Sequence, residues 1–395
     1  MNEPKLRFKA DDGNAFPDWE EKKLGEIATR VTRKNKDNVT DIPLTISSAD
    51  GLIDQRNFFN KVVASKDMSG YYLLNNGEFA YNKSYSKGYD FGSIKRLDLY
   101  DCGALSTLYI CFALDENENS DFYQKYFDSL SWYAELQKIC AEGARNHGLL
   151  NVPTNDFFQL KLRVPSSKDE QQKIADFLST IDTVIEKQKA TVEAWEERKK
   201  GVMQKLFSQE VRFKADDGSE FPDWKKKKLE DVVEFLDGQR KPLEAGQRVS
   251  GKYPYYGASG IIDYVNDYIF DEELILLSED GANILDRNYR VCFLAKGKYW
   301  VNNHAHVLRA MDRNVNGFLC EQLESFDYRK YNSGGAQPKL NQATCRSIVV
   351  NVPCFAEQQK IADCLSSLDD VIKKQKATLA AWEEMKKGLL QQMFV

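Results

Sequence analysis

The sequence predicts an α+β chain in which two α/β blocks are separated by two long antiparallel helices, a coiled-coil pair with a pseudo-two-fold, circular arrangement. Three observations carry this. RFKADDG occurs from Arg7 and again from Arg212, opening two segments of 22 residues that agree at about two-thirds of positions. EQQKIAD occurs from Glu170 and again from Glu357, opening two segments of 38 residues that agree equally well. The stretches between the repeats show no comparable similarity, so the order is short repeat, unique block, long repeat, then the same again.

Composition bounds the class. A chain of 395 residues suits two or three domains, and 42% hydrophobic with 29% charged residues suits packed units rather than disorder. No apolar run approaches the 18 or so residues of a membrane span and no signal-peptide pattern is present, so the expectation is a cytoplasmic protein with no membrane contact. The eight cysteines show no C-x-x-C spacing, which argues against a zinc site and against a disulfide framework. A net charge of −5 means that any contact with nucleic acid must come from local clusters.

In chain order, residues 1–23 form an N-terminal joint segment. Asp11-Asp12-Gly13 supplies turn chemistry and Phe16-Pro17-Asp18-Trp19 an extended aromatic anchor. Residues 24–165 form the first block, ending at Val164-Pro165, where proline disfavours helix in the residue before it. Residues 166–210 hold the central repeat helix, after a short link through Ser166–Asp169. The joint recurs over 211–228, the second block covers 229–353 and ends at Val352-Pro353, and residues 354–395 hold the C-terminal repeat helix. In the first long repeat, Ile174, Leu178, Ile181, Ile185, Gln188, Val192, Trp195, Lys199, Val202 and Leu206 step by four and three. The second gives Ile361, Leu365, Leu368, Ile372, Gln375, Leu379, Trp382, Lys386, Leu389 and Met393 at the same positions. This is a heptad seam, and a lone seam buries nothing, so the copies are expected to pair with Gln188 and Gln375 near the middle. Those glutamines either fix the register or reach toward solvent.

This organisation, with the PDW-x-x-K-K-L entry at Pro17 and Pro222, resembles the DNA-specificity subunit of type I restriction-modification enzymes. Tyr253–Gly260, Glu279-Asp280-Gly281-Ala282, Asn303–Val307 and Gly335–Asn341 look like recurring elements of that family's target-recognition domains. The resemblance implies two such domains, each reading one half of a split double-stranded DNA site. It also implies a helix pair that spaces them and docks two methyltransferase subunits, with restriction/translocase subunits joining to cut. Because the blocks differ, the half-sites should differ, with an unread gap between them.

Candidate contacts follow from residue type. In the first block they are Ser47, Ser48, Arg56, Arg145 and Asn146, with Asn82, Lys83, Ser84 and Lys87 on a Gly-bounded loop that also carries Tyr81 and Tyr85. Asn can pair bidentately with adenine, and Lys can donate to guanine or phosphate. In the second block they are Gln239, Arg240, Lys241, Tyr255, Tyr256, Ser259, Asn303, His304, His306, Gln337 and Lys339. Arg240 and Lys241 read as a surface turn that straddles a phosphate. The H-x-H pair would put both rings on one face of a strand, yet no third ligand completes a metal site. Glu279-Asp280 reads as an acidic structural turn. No cofactor is expected and no catalysis. A methyltransferase motif and a Walker-type phosphate loop are both missing, and three His leave few possible bases.

Overall fold

The computed structural model describes residues 3–59, 64–140, 150–311, 314–335 and 337–394. It divides into two compact units, Met1–Gln188 with Thr378–Val395, and Lys189–Ala377. The central helix runs over Lys168–Phe207 and the C-terminal helix over Phe355–Met393, so each unit owns one half of each helix. Helix therefore begins inside both of the links expected after the prolines, Ser166–Asp169 and Cys354–Ala356.

In the first unit, Trp19–Lys23 pairs antiparallel with Lys161–Pro165, closing the block at its entry and exit. The main sheet has the antiparallel order Ala28–Arg30, Ile110–Leu114, Phe79–Asn82, Ser93–Arg96. Phe79, Tyr81 and Phe112 on its inner face meet Phe122, Tyr123, Tyr126 and Phe127 of the helix Ser120–Ser129, and all seven are 2% exposed or less. The Leu44–Ser47/Gly51–Asp54 hairpin and the Tyr72–Asn75/Cys102–Leu105 pair enclose a second cluster around Leu44, Leu74 and Leu105.

The second unit repeats the entry-and-exit ribbon with Lys225–Lys228 against Val349–Val352. Its main sheet runs Val233–Phe235, Ala305–Ala310, Leu274–Ser278, Cys292–Ala295, again antiparallel throughout. Element by element this matches the order of the first unit, although the blocks share no comparable sequence. A second sheet, Gly260–Val265, Ser250–Gly257, Lys298–Val301, Phe270–Asp271, contains a parallel pairing of Tyr255 with Trp300 and covers a cluster around Phe270, Leu276 and Tyr299.

The repeated heptapeptide is a clamp on the long helices. Arg7 grips Glu170 with Nε and Nη2 at 2.9 and 2.8 Å and also donates to the Pro17 carbonyl at 2.7 Å. Trp19 Nε1 donates to the same carboxylate at 3.3 Å, and Lys173 reaches the Lys9 carbonyl and Asp11. In the second unit Arg212 grips Glu357 at 3.1 and 2.8 Å and the Pro222 carbonyl at 2.7 Å. There Trp224 donates to Glu357 at 3.0 Å, and Lys360 reaches the Lys214 carbonyl and Asp216. Gln171 and Gln358 donate to the carbonyls of Pro165 and Pro353. Each residue of EQQK thus has a task. Glu holds the arginine and tryptophan, the first Gln seals the exit proline, the second bonds the Asp one turn on (Asp176, Asp363), and Lys holds the DDG turn. The helix-end contact recurs as well. Val211 N–H donates to the Lys205 carbonyl at 3.2 Å, and Leu6 N–H donates to the Gln392 carbonyl at 3.0 Å, the matching positions.

Within each unit the helix halves pair antiparallel. In the first, Ile174, Ala175 and Leu178 share a core with Leu390, Met393 and Phe394, while Asp182 binds Lys386 at 2.6 Å. In the second, Leu206 shares a core with Ile361, Ala362 and Leu365, while Lys199 binds Asp369 at 2.7 Å. Ile174, Leu178, Ile181, Ile185, Val192, Ile361, Leu365 and Ile372 are buried, each worth about 1.5–3 kcal/mol. Gln188, Trp195, Leu368, Gln375, Leu379 and Trp382 are half-buried. The seam lysines are explained by charge. Lys199 is buried between Asp369 and Glu321, and Asp182, between Lys125 and Lys386, is held below the ordinary carboxylate range by those two cations against the opposing effect of burial.

Candidate nucleic-acid interface

Each main sheet ends in a cluster of polar turns. In the first unit the cluster joins the Ser47–Gly51 turn to the long turn between Asn82 and Ser93. Ser48 Oγ lies 3.0 Å from both Ser86 Oγ and Ser93 Oγ, and Ser47 Oγ donates to Asp50 at 2.7 Å. Asn82 Oδ1 accepts from the Ser84 N–H at 2.9 Å, so its carbonyl end is already committed to shaping the turn. Lys87 and Tyr85 project from the turn into solvent, Tyr85 with 54% of its surface exposed. Gly92 closes the turn at φ +79°, and a Cβ there would lie 2.0 Å from the Asn82 carbonyl oxygen. Gly92→Ala is therefore expected to force the turn open and to press on the core ring of Tyr81, 3.0 Å from the same Cβ. The free energy of unfolding from urea denaturation should fall by at least the about 1–2 kcal/mol of a left-handed alanine.

Two candidates of this block are tied down. Arg56 forms three hydrogen bonds to Asp54, the shortest 2.6 Å, and lies 3.6 Å from Asp41. Burial alone would raise the Asp54 carboxyl, and the guanidinium pulls it below its usual range instead. Lys83 donates to the Val152 carbonyl at 3.3 Å, and burial, reinforced by Arg30, lowers its pKa. Arg145 and Asn146 lie outside the described residues.

In the second unit five segments are fastened edge to edge. Lys241 N–H donates to the Val301 carbonyl, Asn302 N–H to Tyr256, Glu279 N–H to His304, Gly281 N–H to Pro338 and Leu340 N–H to Glu279. Their turns present Gln239, Lys241, Ser259, Asn303, His304, Gln337 and Lys339 as exposed side chains. The acidic turn supplies counter-charges, with Asp280 2.9 Å from His304 Nδ1 and Glu279 3.4 Å from Lys339 Nζ.

Four sequence expectations are corrected here. Arg240 does not straddle a surface phosphate. It points inward, 13% exposed, donating to Glu279 at 2.7 Å and the Ala305 carbonyl at 2.8 Å, because the turn after Asp237 carries it over two buried acids. Tyr255 is 1% exposed, with its hydroxyl accepting from the Leu243 N–H at 2.9 Å, so it fills the core. Tyr256 is half-buried against Phe293 and Tyr299. The two histidines do not share a face. His304 precedes the strand and stands in solvent, whereas His306 is wholly buried. His306 Nδ1 lies 2.7 Å from Asp237 and Nε2 lies 2.7 Å from the Leu340 carbonyl. Two acceptors require two N–H donors, so the ring is an imidazolium. Burial opposes that charge, but the Asp237 carboxylate and the adjacent Cys345 prevail and push the His306 pKa up to about 10. Among the described residues no three His, Cys, Asp or Glu side chains converge on a metal position.

Sequence reasoning missed Ser86, Ser93 and the orienting Asn302, whose carboxamide oxygen accepts the His304 N–H at 2.8 Å. The run of serines and the N-x-H spacing were the only signals, and both are common in ordinary turns.

The family model for the type I restriction modification DNA specificity domain matches twice, at residues 17–194 and 222–381. A putative type I restriction enzyme specificity subunit of Haemophilus influenzae is 36% identical over 152 residues, a match spanning 38% of each chain. A putative MjaX specificity subunit of Methanocaldococcus jannaschii is 24% identical over 97% of this chain and 94% of its own. The crystal structure of the S subunit of the type I system from M. genitalium superposes with a TM-score of 0.58 at 16% identity, covering 99% of both chains, a likeness of fold. With two matched domains over most of its length, the chain belongs to the type I restriction-modification DNA-specificity family, the non-catalytic component that recognises DNA sequence.

Proposed function

We propose that this chain reads an asymmetric, bipartite double-stranded DNA site, with one half-site for the turn cluster of each unit. The observation that carries the reading is that one sheet order, on one duplicated helix clamp, ends in two unlike sets of polar side chains, half-buried Asn82 and Ser84 with exposed Lys87 in the first and seven exposed side chains in the second. In the first, Ser84, Lys87 and the free amide of Asn82 reach for base edges and phosphates. In the second, Gln239, Lys241, Ser259, Asn303, His304, Gln337 and Lys339 do so. Arg240, Tyr255 and His306 act behind them, holding the turns in shape.

The paired helices are the platform on which two methyltransferase subunits dock, and restriction subunits join that complex. Trp195, half-buried at the seam, also lines a shallow pocket with Ala190, Thr191, Ala194 and Arg198, and Met385 is 42% exposed. Half-exposed tryptophans among small residues are the anchors that protein interfaces favour.

Mapping methylated bases across the genome of a strain with and without this chain tests the reading. One two-part motif with unlike halves and a fixed gap should vanish when the chain is removed. A palindromic or continuous motif, or no change, would overturn it. Ile185→Asp combined with Ile372→Asp should abolish co-purification of the methyltransferase subunits, and retention of those subunits would remove the platform role.

A further inference from the structure

The duplicated entry strands differ in one respect that the fold does not require. Trp19–Lys23 reads WEEKK, and three of its four charges are paired, Glu21 with Lys161 at 2.8 Å, Glu20 with Lys22 at 3.4 Å and Lys22 with Glu118 at 3.2 Å. The corresponding strand of the second unit, Lys225–Lys228, is four lysines, all exposed. Its pairing partner, Val349–Val352, carries no acid, and only Lys228 has an ion-pair partner among the described residues, Glu230 at 3.4 Å. The ribbon has two strands, so the backbone edge of the lysine strand is unpaired among the described residues.

Lysines on an exposed edge discourage strand-to-strand aggregation, but the mixed charges of the first unit serve that purpose equally. Four neighbouring cations repel one another, which destabilises a sheet. The arrangement suits an anionic partner. Side chains two apart on a strand are separated by about 6.8 Å, a spacing that lets successive lysines follow a line of phosphates. An unpaired row of strand N–H groups adds donors of the kind that phosphate oxygens accept. The ribbon is also well placed within its own unit. Val349 follows the helix Gln342–Ser347, six residues and so about 9 Å long, which begins directly after the Gln337–Leu340 segment of the turn cluster.

We infer that the Lys225–Lys228 strand is a sequence-independent phosphate contact on duplex adjoining the half-site of the second unit, with no counterpart in the first. This rests on the DNA-recognition reading above. It makes the bound subunit asymmetric in grip as well as in reading, with more backbone charge neutralised on one side of the site.

The repeat supplies the test. K225E/K227E removes two cations that share one face of the strand, and Glu20 at the matching position of the first unit shows that the fold accepts an acid there. In complex with the methyltransferase subunits, affinity for a duplex bearing the mapped motif is measured from 50 to 200 mM salt, beside a duplex with a scrambled motif. Each phosphate contact contributes about 0.9 to the slope of log affinity against log salt, so the double variant should flatten it by about 2. The preference for motif over scrambled duplex should persist, and so should the urea midpoint. A slope equal to wild type overturns the inference. Loss of complex assembly with an unchanged slope also overturns it, and assigns the lysines to an acidic protein partner. A wild-type complex that shows no motif preference, while the slope still falls in the variant, defeats the reading of the site and leaves the phosphate contact standing.

Discussion

Glu357→Ala is expected to destabilise the second unit by about 3 kcal/mol, measured by urea denaturation followed through tryptophan fluorescence. The Glu357 carboxylate is fully buried and takes three hydrogen bonds, two from Arg212 and one from Trp224. Removing it leaves the guanidinium and the indole N–H without their acceptor and opens a cavity where the helix meets the joint. Breaking a buried pair on one side typically costs about 3–5 kcal/mol. The low end applies because Arg212 keeps 18% of its side chain in water and its bond to the Pro222 carbonyl. Glu357→Gln retains an acceptor for Trp224 and should lose about half as much. Glu170→Ala should act alike in the first unit, where Arg7 and Trp19 occupy the same places. A loss below about 1 kcal/mol in both alanine variants would mean that the heptapeptide is not the clamp described above.

His306→Gln is the second large effect, and its signature is in pH. The imidazolium is faced by Asp237 and, 3.8 Å away, by Glu279. Arg240, bound to both acids, lies on the far side of them, with Cys345 and the Leu340 carbonyl closing the pocket. With a folded pKa of about 10 above an ordinary 6.5, the ring's contribution is complete below pH 6.5 and disappears as pH rises through about 10. Each pH unit in that window removes at most about 1.4 kcal/mol. Asp237 has the opposite sense. Its carboxyl lies below 3.8, where burial opposes the shift and the His306 hydrogen bond and charge outweigh it, so its contribution is lost as pH falls beneath that value. At pH 7 the glutamine variant should be about 3 kcal/mol less stable, since the buried Asp237 loses its cation. Its stability should then stay level between pH 6.5 and 10, where wild type declines. Parallel curves for the two proteins would show that His306 is not the titrating group.

The seam was legible because periodicity is a one-dimensional property. Ile174 to Leu206 and Ile361 to Met393 declare their spacing without reference to any other segment, and the half-helices share cores at the two ends of that seam, through Ile174, Leu178, Leu390 and Met393 and through Leu206, Ile361 and Leu365. The joint was legible only as a joint. That Arg7 binds Glu170, 163 residues away, could not be read from a chain in which 115 residues are charged, 55 basic and 60 acidic. The candidate contacts were the least legible. Arginine, tyrosine and histidine serve equally to read a base or to satisfy a buried polar core, and burial alone separates those uses. Arg240 and His306 fell on the interior side because Asp237 and Glu279, near in space and distant in sequence, draw them in. Lys241, Ser259 and Gln337 stand outside.

The ionic knot of Asp237, Arg240, Glu279 and His306 has a consequence for how this protein changes over generations. The residues that fix the turns lie below the surface, and the exposed side chains proposed to meet DNA stand above them with little structural duty. Gln239, Ser259, Asn303 and Gln337 can be exchanged at a stability change of about 0.5 kcal/mol or less each. On the reading proposed above, substitutions at these positions change the recognition sequence and leave the scaffold as robust as before.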